Sequence, residues 1–233
     1  YIFTRDYLQK DGNNSCGSLS SRIYEYILEK GAAVTREELK THLKITSDVM
    51  ITNVLSNNRD VFQWEFNRFN CSGNLSITAV ENELLNEIIL EIMVDNNDYC
   101  SAKMVYDYCL QILPEMVQRN QIKNHTNLFY FVATVLWDKF KYRNPHILPL
   151  NSEVSTTEEI ATKIIGHPEI LKWDEFATMS DKFGWGRSTA GFVFDNLKKE
   201  CYYRISLTDY IKKDAFLIDS NQLTEINAEI TRV

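Results

Sequence analysis

The chain is short of the residues that break structure. Its 233 residues include only eight glycines and four prolines, which excludes a collagen-like, linker-rich or low-complexity architecture. Cys16, Cys71, Cys100, Cys109 and Cys201 are odd in number and contain no CxxC pair. Neither a disulfide framework nor a zinc site is indicated, and free thiols in a reducing cytoplasm are the simpler reading. No apolar run approaches the ~18 residues of a membrane span; the longest, Leu84 to Val94, is broken by Glu87 and Glu91. No basic and apolar leader pattern opens the chain. Neither GxxxxGK[ST] nor GxGxxG occurs, so no phosphate-cradling loop is expected. His42, His125, His146 and His167 have no partner histidine at i+3 or i+4, so no metal site is expected. The acidic pairs Glu37-Glu38, Glu158-Glu159 and Asp174-Glu175 fall in expected first helical turns, where they favour the helix dipole. Cys100 and Cys109 lack a placed base. The expectation is a chain without cofactor or catalytic residues.

A hydrophobic fraction of 44% and an aromatic fraction of 12% fit a packed globular protein. The formal net charge is −7. Residues 18–80 balance seven bases against seven acids, 81–150 set six against nine, and 151–220 nine against twelve. An acidic balance counts against a stand-alone duplex binder, because phosphate contacts dominate nucleic-acid affinity. It leaves room for a local basic face.

A pattern recurs roughly every 60 to 70 residues: two helical stretches, a third, then a short aromatic strand pair carrying basic residues. The endings Val61–Phe66, Phe140–Arg143 and Cys201–Ile205 align with one another. Tyr1–Leu8 resembles Tyr203–Ile211. The expected boundaries are 18–80, 81–150 and 151–220. Residues 1–17 are the end of a preceding unit or an N-terminal strand, and 221–233 a terminal helix opening a further unit. The expectation is therefore a piece of a longer protein. In the first repeat, Ile23, Tyr26 and Ile27 give one helix face, Gly31 a stop, and Thr35–Glu38 a capping box. Its strands are expected at Val61–Phe66 and about Leu75–Thr78. In the second, helices are expected from near Glu81, from Ala102 to Leu113 and from Thr126 to Trp137, with a turn at Asn144-Pro145. In the third, Thr156–Glu159 opens a helix that Gly166-His167-Pro168 ends, Trp173–Phe183 is the second, and Phe192, Val193 and Leu197 of the third face inward. Its strands are expected at Tyr202–Ile205 and Ala215–Ile218.

This order resembles the winged helix-turn-helix family, as three diverged tandem copies. Glu175-Phe176-Ala177, Phe183 to Thr189 and Phe194-Asp195-Asn196-Leu197 carry the resemblance best. It implies a mainly α fold with small β-hairpins (α+β), built of winged-helix-like units. It further implies that the third helix enters the major groove while the β-wing lies on the backbone. Carried over, Arg187, Ser188 and Thr189 face bases or phosphates, and Lys198, Lys199 and Arg204 support backbone contact, with Lys212 and Lys213 extending that face. In the first copy the third helix has no Lys or Arg and carries Asp48; Arg59 and Arg68 flank its strands. In the second the basic residues lie outside the helix: Lys123 with Asn124, His125 and Asn127 at its start, Lys139, Lys141 and Arg143 after it.

Each feature has a plainer account. Arg187-Ser188-Thr189 also suits a helix start. Lys139, Lys141 and Arg143 alternate with Phe140 and Tyr142, which suits phosphate with stacking and equally a strand with aromatics inward and charges in water. The expected function is a non-catalytic nucleic-acid-binding or regulatory region of a larger cytoplasmic, bacterial-type protein, with DNA as partner. The alternative is an interaction scaffold whose units dock a protein or the rest of the chain. Neither places the chain in a membrane.

Overall fold

The computed structural model describes residues 2–3, 8–9, 18–57, 59–154, 156–166, 168–216, 221–222, 224–225 and 228. It is mainly helical with small three-stranded antiparallel sheets. The chain divides into two compact units, Tyr1–Ser152 and Glu153–Val233.

The first unit opens with a short antiparallel pair, β1 (Ile2–Phe3) and β2 (Leu8–Gln9). Ser18 then caps α1 (Leu19–Lys30) by accepting from the Ser21 amide. Ile23 and Ile27 are fully buried on one face, and Gly31 ends the helix at φ 62°, a left-handed conformation that glycine reaches without a Cβ clash. β3 (Val34–Thr35) leads into α2 (Arg36–Leu43) through the expected capping box: Thr35 Oγ1 accepts from the Glu38 amide and Glu38 Oε2 from the Thr35 amide. α3 (Asp48–Asn57), β4 (Val61–Glu65) and β5 (Arg68–Cys71) complete the repeat, with sheet order β3-β5-β4.

The second strand of this hairpin is therefore not at Leu75–Thr78. Asn67 takes φ 56°, which lets a two-residue turn reverse the chain after Glu65. Leu75 and Ile77 are apolar for another reason: they pack on the core of the following repeat.

Thr78 and Glu81 form a second capping box and start α4 (Ala79–Asp95). The helix stops at Asn96, with Asn97 and Asp98 at positive φ. β6 (Cys100–Ser101), α5 (Ala102–Ile112), α6 (Pro114–Arg119), α7 (His125–Val135), β7 (Phe140–Arg143) and β8 (His146–Pro149) follow. Pro114 is the first residue of α6, where its missing N–H costs nothing. Sheet order is β6-β8-β7, and the Asn144-Pro145 bond at the hairpin turn is cis.

Both repeats share one compact unit because the second core reaches into the first. Trp64 of β4 belongs to the cluster built by α4, α5 and α7. Asn127, fully buried, donates to the Trp64 carbonyl at 2.9 Å. Asn120, 4% exposed, accepts from the Ser76 amide and donates back to the Ser76 carbonyl, each at 2.7 Å. These bonds satisfy backbone groups that burial strips of water.

The second unit repeats the plan with α8 (Thr157–Ile165), β9 (Ile170–Lys172), α9 (Trp173–Lys182), α10 (Arg187–Cys201), β10 (Tyr202–Arg204) and β11 (Asp209–Lys212), in sheet order β10-β11-β9. Thr156 and Glu159 form the capping box of α8. The core is aromatic: Phe194 meets Phe176 edge-on at 5.2 Å and Tyr210 at 5.5 Å. Two expectations fail here. The last strand is Asp209–Lys212; of the expected Ala215–Ile218, Ala215 ends a 3₁₀ turn and residues 217–218 lie outside the described residues. Phe192 is 61% exposed rather than inward. Ala190, Val193, Phe194 and Leu197 already fill the 3.6-residue stripe that faces the core. His167 and most of the expected 221–233 helix also lie outside the described residues.

All three repeats thus have the same order: helix, short strand, two helices (with α6 added in the second), two strands. The short strand always pairs with the last one.

Candidate nucleic-acid interface

α10 is the helix on which most of the expected contacts sit. Gly184, at φ 74°, and Gly186, the N-cap residue, bring the chain from α9 into its first turn. Gly186 has no side chain to cap with, so Arg187, Ser188 and Thr189 are left exposed at the positive end of the helix dipole. No hydrogen bond or ion pair engages the three side chains among the described residues. Further along, the outward residues are Phe192, Asp195 and Lys199. The same side of the helix therefore begins basic and hydroxylic, turns apolar, and ends with mixed charge.

Lys198, Arg204, Lys212 and Lys213 are engaged internally. Lys198 is ion-paired with Asp195 and lies over the rings of Phe194 at 5.7 Å and Tyr210 at 5.5 Å. The hydrogen bond to Asp195 pushes its pKa up. Arg204 donates through Nε to the Ser206 carbonyl at 2.8 Å and through Nη2 to the Leu207 carbonyl at 3.2 Å, so its guanidinium braces the β10–β11 loop. Lys213 donates to the carbonyls of Lys199 and Glu200, capping the end of α10, and Lys212 is 3.7 Å from Asp214. At the loop tip Leu207 is 85% exposed.

The corresponding helices of the first unit differ. At the start of α3, Asp48 lies 3.8 Å from Arg36 and 3.5 Å from Lys40, and Arg36 also donates to the Asp48 carbonyl. The two cations of α2 are thus spent on the acid where an anion would dock. In α7, Asn127, Leu128, Phe129, Phe131 and Val132 are buried and the other residues are partly so, so the helix presents no exposed face to a groove. Asn124 is its N-cap, accepting from the Asn127 amide at 3.0 Å. Burial lowers the His125 pKa. Arg68 donates to the Ala33 carbonyl and is structural.

On β7 the alternation places aromatics inward. Phe140 is buried, and Tyr142 donates to the Leu136 carbonyl at 2.7 Å. Neither ring is presented for stacking. Lys139 and Arg143 are exposed, while Lys141 reaches the Ser152 carbonyl at 3.0 Å. Sequence pattern had not singled out Trp137, which is 56% exposed beside this strand with the Arg59 guanidinium 4.5 Å from its ring centroid. A long-range contact of that kind leaves no periodic trace.

Other chemistry is sparse. Cys71, Cys100, Cys109 and Cys201 are free thiols, three of them buried, and burial raises the pKa of Cys109 to about 12. His146 is 1% exposed, and burial pushes its pKa down to about 4. A cleft of about 570 Å³ beside α8 and α10 is lined by Thr156, Glu159, Thr162, Asn196, Leu197, Glu200 and Cys201. Glu159 is held in the capping box, accepting from the Thr156 amide at 2.9 Å. Among the described residues no three His, Cys, Asp or Glu gather to hold a metal ion, and no helix is long and apolar enough to cross a membrane. No protein-family model, curated protein or solved structure matches the chain.

Proposed function

We propose that the chain is a non-catalytic nucleic-acid-binding or regulatory region of a larger cytoplasmic protein, built from three tandem winged-helix units, with the third repeat as the DNA-contacting surface. The thrice-repeated element order, with the same strand order in each sheet, supports the winged-helix reading. The observation that carries the functional part is the contrast among third helices. Arg187, Ser188 and Thr189 stand exposed and unengaged at the start of α10, whereas Asp48 closes the start of α3 and α7 has no exposed residue. Free thiols support a reducing compartment.

In this reading Arg187 contacts a base edge or phosphate, Ser188 and Thr189 donate to phosphate, and Lys199 adds backbone attraction. Lys198 and Arg204 shape the surface rather than touch the ligand. A salt titration of duplex DNA binding tests it: Arg187→Ala with Lys199→Ala weakens binding and lowers the slope of log K against log salt by about 0.9 per lost phosphate contact. Absence of duplex binding even at low salt overturns it.

A scaffold role is favoured for the first two repeats by their own features. Their third helices offer no cation to a groove, and α3 exposes Val49 and Met50 instead. Protein docking there is compatible with nucleic-acid binding by the third repeat.

A further inference from the structure

Where the first two repeats join, a guanidinium of the first lies over an exposed tryptophan of the second. Arg59 comes from the segment before β4; Trp137 and Lys139 come from the turn between α7 and β7, and Arg143 from the end of β7. The Arg59 guanidinium lies 4.5 Å from the Trp137 ring centroid, yet the tryptophan remains 56% exposed. Arg59, Lys139 and Arg143 are exposed and have no carboxylate partner among the described residues. On β7, Lys141 and Arg143 fall on one side by period-two alternation, and Lys141 is tied down by a backbone carbonyl. Two acids are adjacent in sequence. Asp60 accepts from the Ser72 hydroxyl at 3.0 Å, and Asp138 is exposed in the turn. Arg59 of the first repeat thus meets an exposed indole of the second, which Lys139 follows by two residues and Arg143 by six, in a repeat that otherwise holds more acids than bases.

We propose that this junction binds single-stranded nucleic acid, one unpaired base stacking on Trp137 while Arg59, Lys139 and Arg143 contact the flanking phosphates. An indole already polarised by a guanidinium on one side is a platform for a base on its free surface. A duplex keeps its bases stacked on each other and offers none to the ring. The site is independent of α10 and needs both repeats, since Arg59 and Trp137 lie on opposite sides of the join.

Tryptophan fluorescence tests the proposal on the whole chain. Trp64 and Trp185 are buried and Trp173 is partly so, which leaves Trp137 as the most exposed emitter. Titration with oligo(dT) and with oligo(U) at low salt is expected to quench the emission, and the relative affinity of the two decides between DNA and RNA. Trp137→Ala removes the quench and weakens binding roughly tenfold or more, while Trp137→Phe recovers part of the affinity. Lys139→Ala flattens the salt slope by about 0.7. Trp137→Ala leaves duplex binding by the α10 surface unchanged, which separates the two sites. No binding of either oligonucleotide at low salt overturns the proposal. So does binding that Trp137→Ala leaves unchanged, or a duplex that binds here as tightly as the single strands.

Discussion

Lys198 and His146 show how far a residue's setting departs from its letter. Lys198 sits on the expected contact helix, yet its ammonium is shared among Asp195 and two aromatic rings. Lys198→Ala is therefore expected to lower stability by about 0.5–1 kcal/mol in a denaturant titration, while leaving the salt dependence of DNA binding unchanged. His146 accepts or shares a hydrogen bond with the Tyr99 hydroxyl at 3.0 Å in a site sealed from water. Its pKa is lowered to about 4 from the ordinary 6.5, mainly by burial. The unfolded chain thus takes up the proton first as pH falls. Stability contributed by the neutral ring is complete above pH 6.5 and is lost between 6.5 and about 4, on the order of 3 kcal/mol at most. Denaturation curves across that window should show a steeper decline for the natural chain than for His146→Gln; equal slopes would count against the buried neutral ring.

At the scale of elements, local signals and long-range ones divide cleanly. The capping box at Thr35, the helix start at Thr156 and the stop at Gly31 were legible because they reside in three or four adjacent residues. Thr78 follows the same rule, and its capping box with Glu81 sets the start of α4 slightly ahead of the apolar stripe. The Arg119 side chain also bonds Glu81 at 2.6 Å, and together these hold its carboxyl down to about 2. In the first repeat's hairpin the strand at Val61 was legible, but its turn and second strand were not, since Asn67 is an unremarkable letter until its backbone turns left-handed. Asn67→Val is expected to cost about 1–2 kcal/mol and Asn67→Gly nothing, measured by thermal unfolding. The short strands β3, β6 and β9 escaped notice because two or three residues carry no period; each exists through its pairing with a strand distant in sequence. The internal partners of Lys198 on α10 and of Arg204 on β10 are likewise ones that only folding supplies, whereas the exposure of Arg187, Ser188 and Thr189 follows from their place in the first turn of α10.

For the whole molecule, the repeats are alike in plan and unlike in integration. The first two are joined through Trp64 and Asn127 into one compact unit. Asn127→Ala strands the buried Trp64 carbonyl and the Lys123 amide it served, at a cost of about 1–3 kcal/mol. That loss should appear in the amide-exchange rates of both repeats, whereas an effect confined to the second would contradict their shared core. The third repeat keeps its own aromatic core and the most open third helix. Amide hydrogen exchange of the full chain with and without duplex DNA at low salt tests that helix as the contact most directly. The account predicts protection centred on the first turns of α10, Arg187 onward, together with the β10–β11 loop. Binding that protects other segments and leaves α10 unchanged would contradict it.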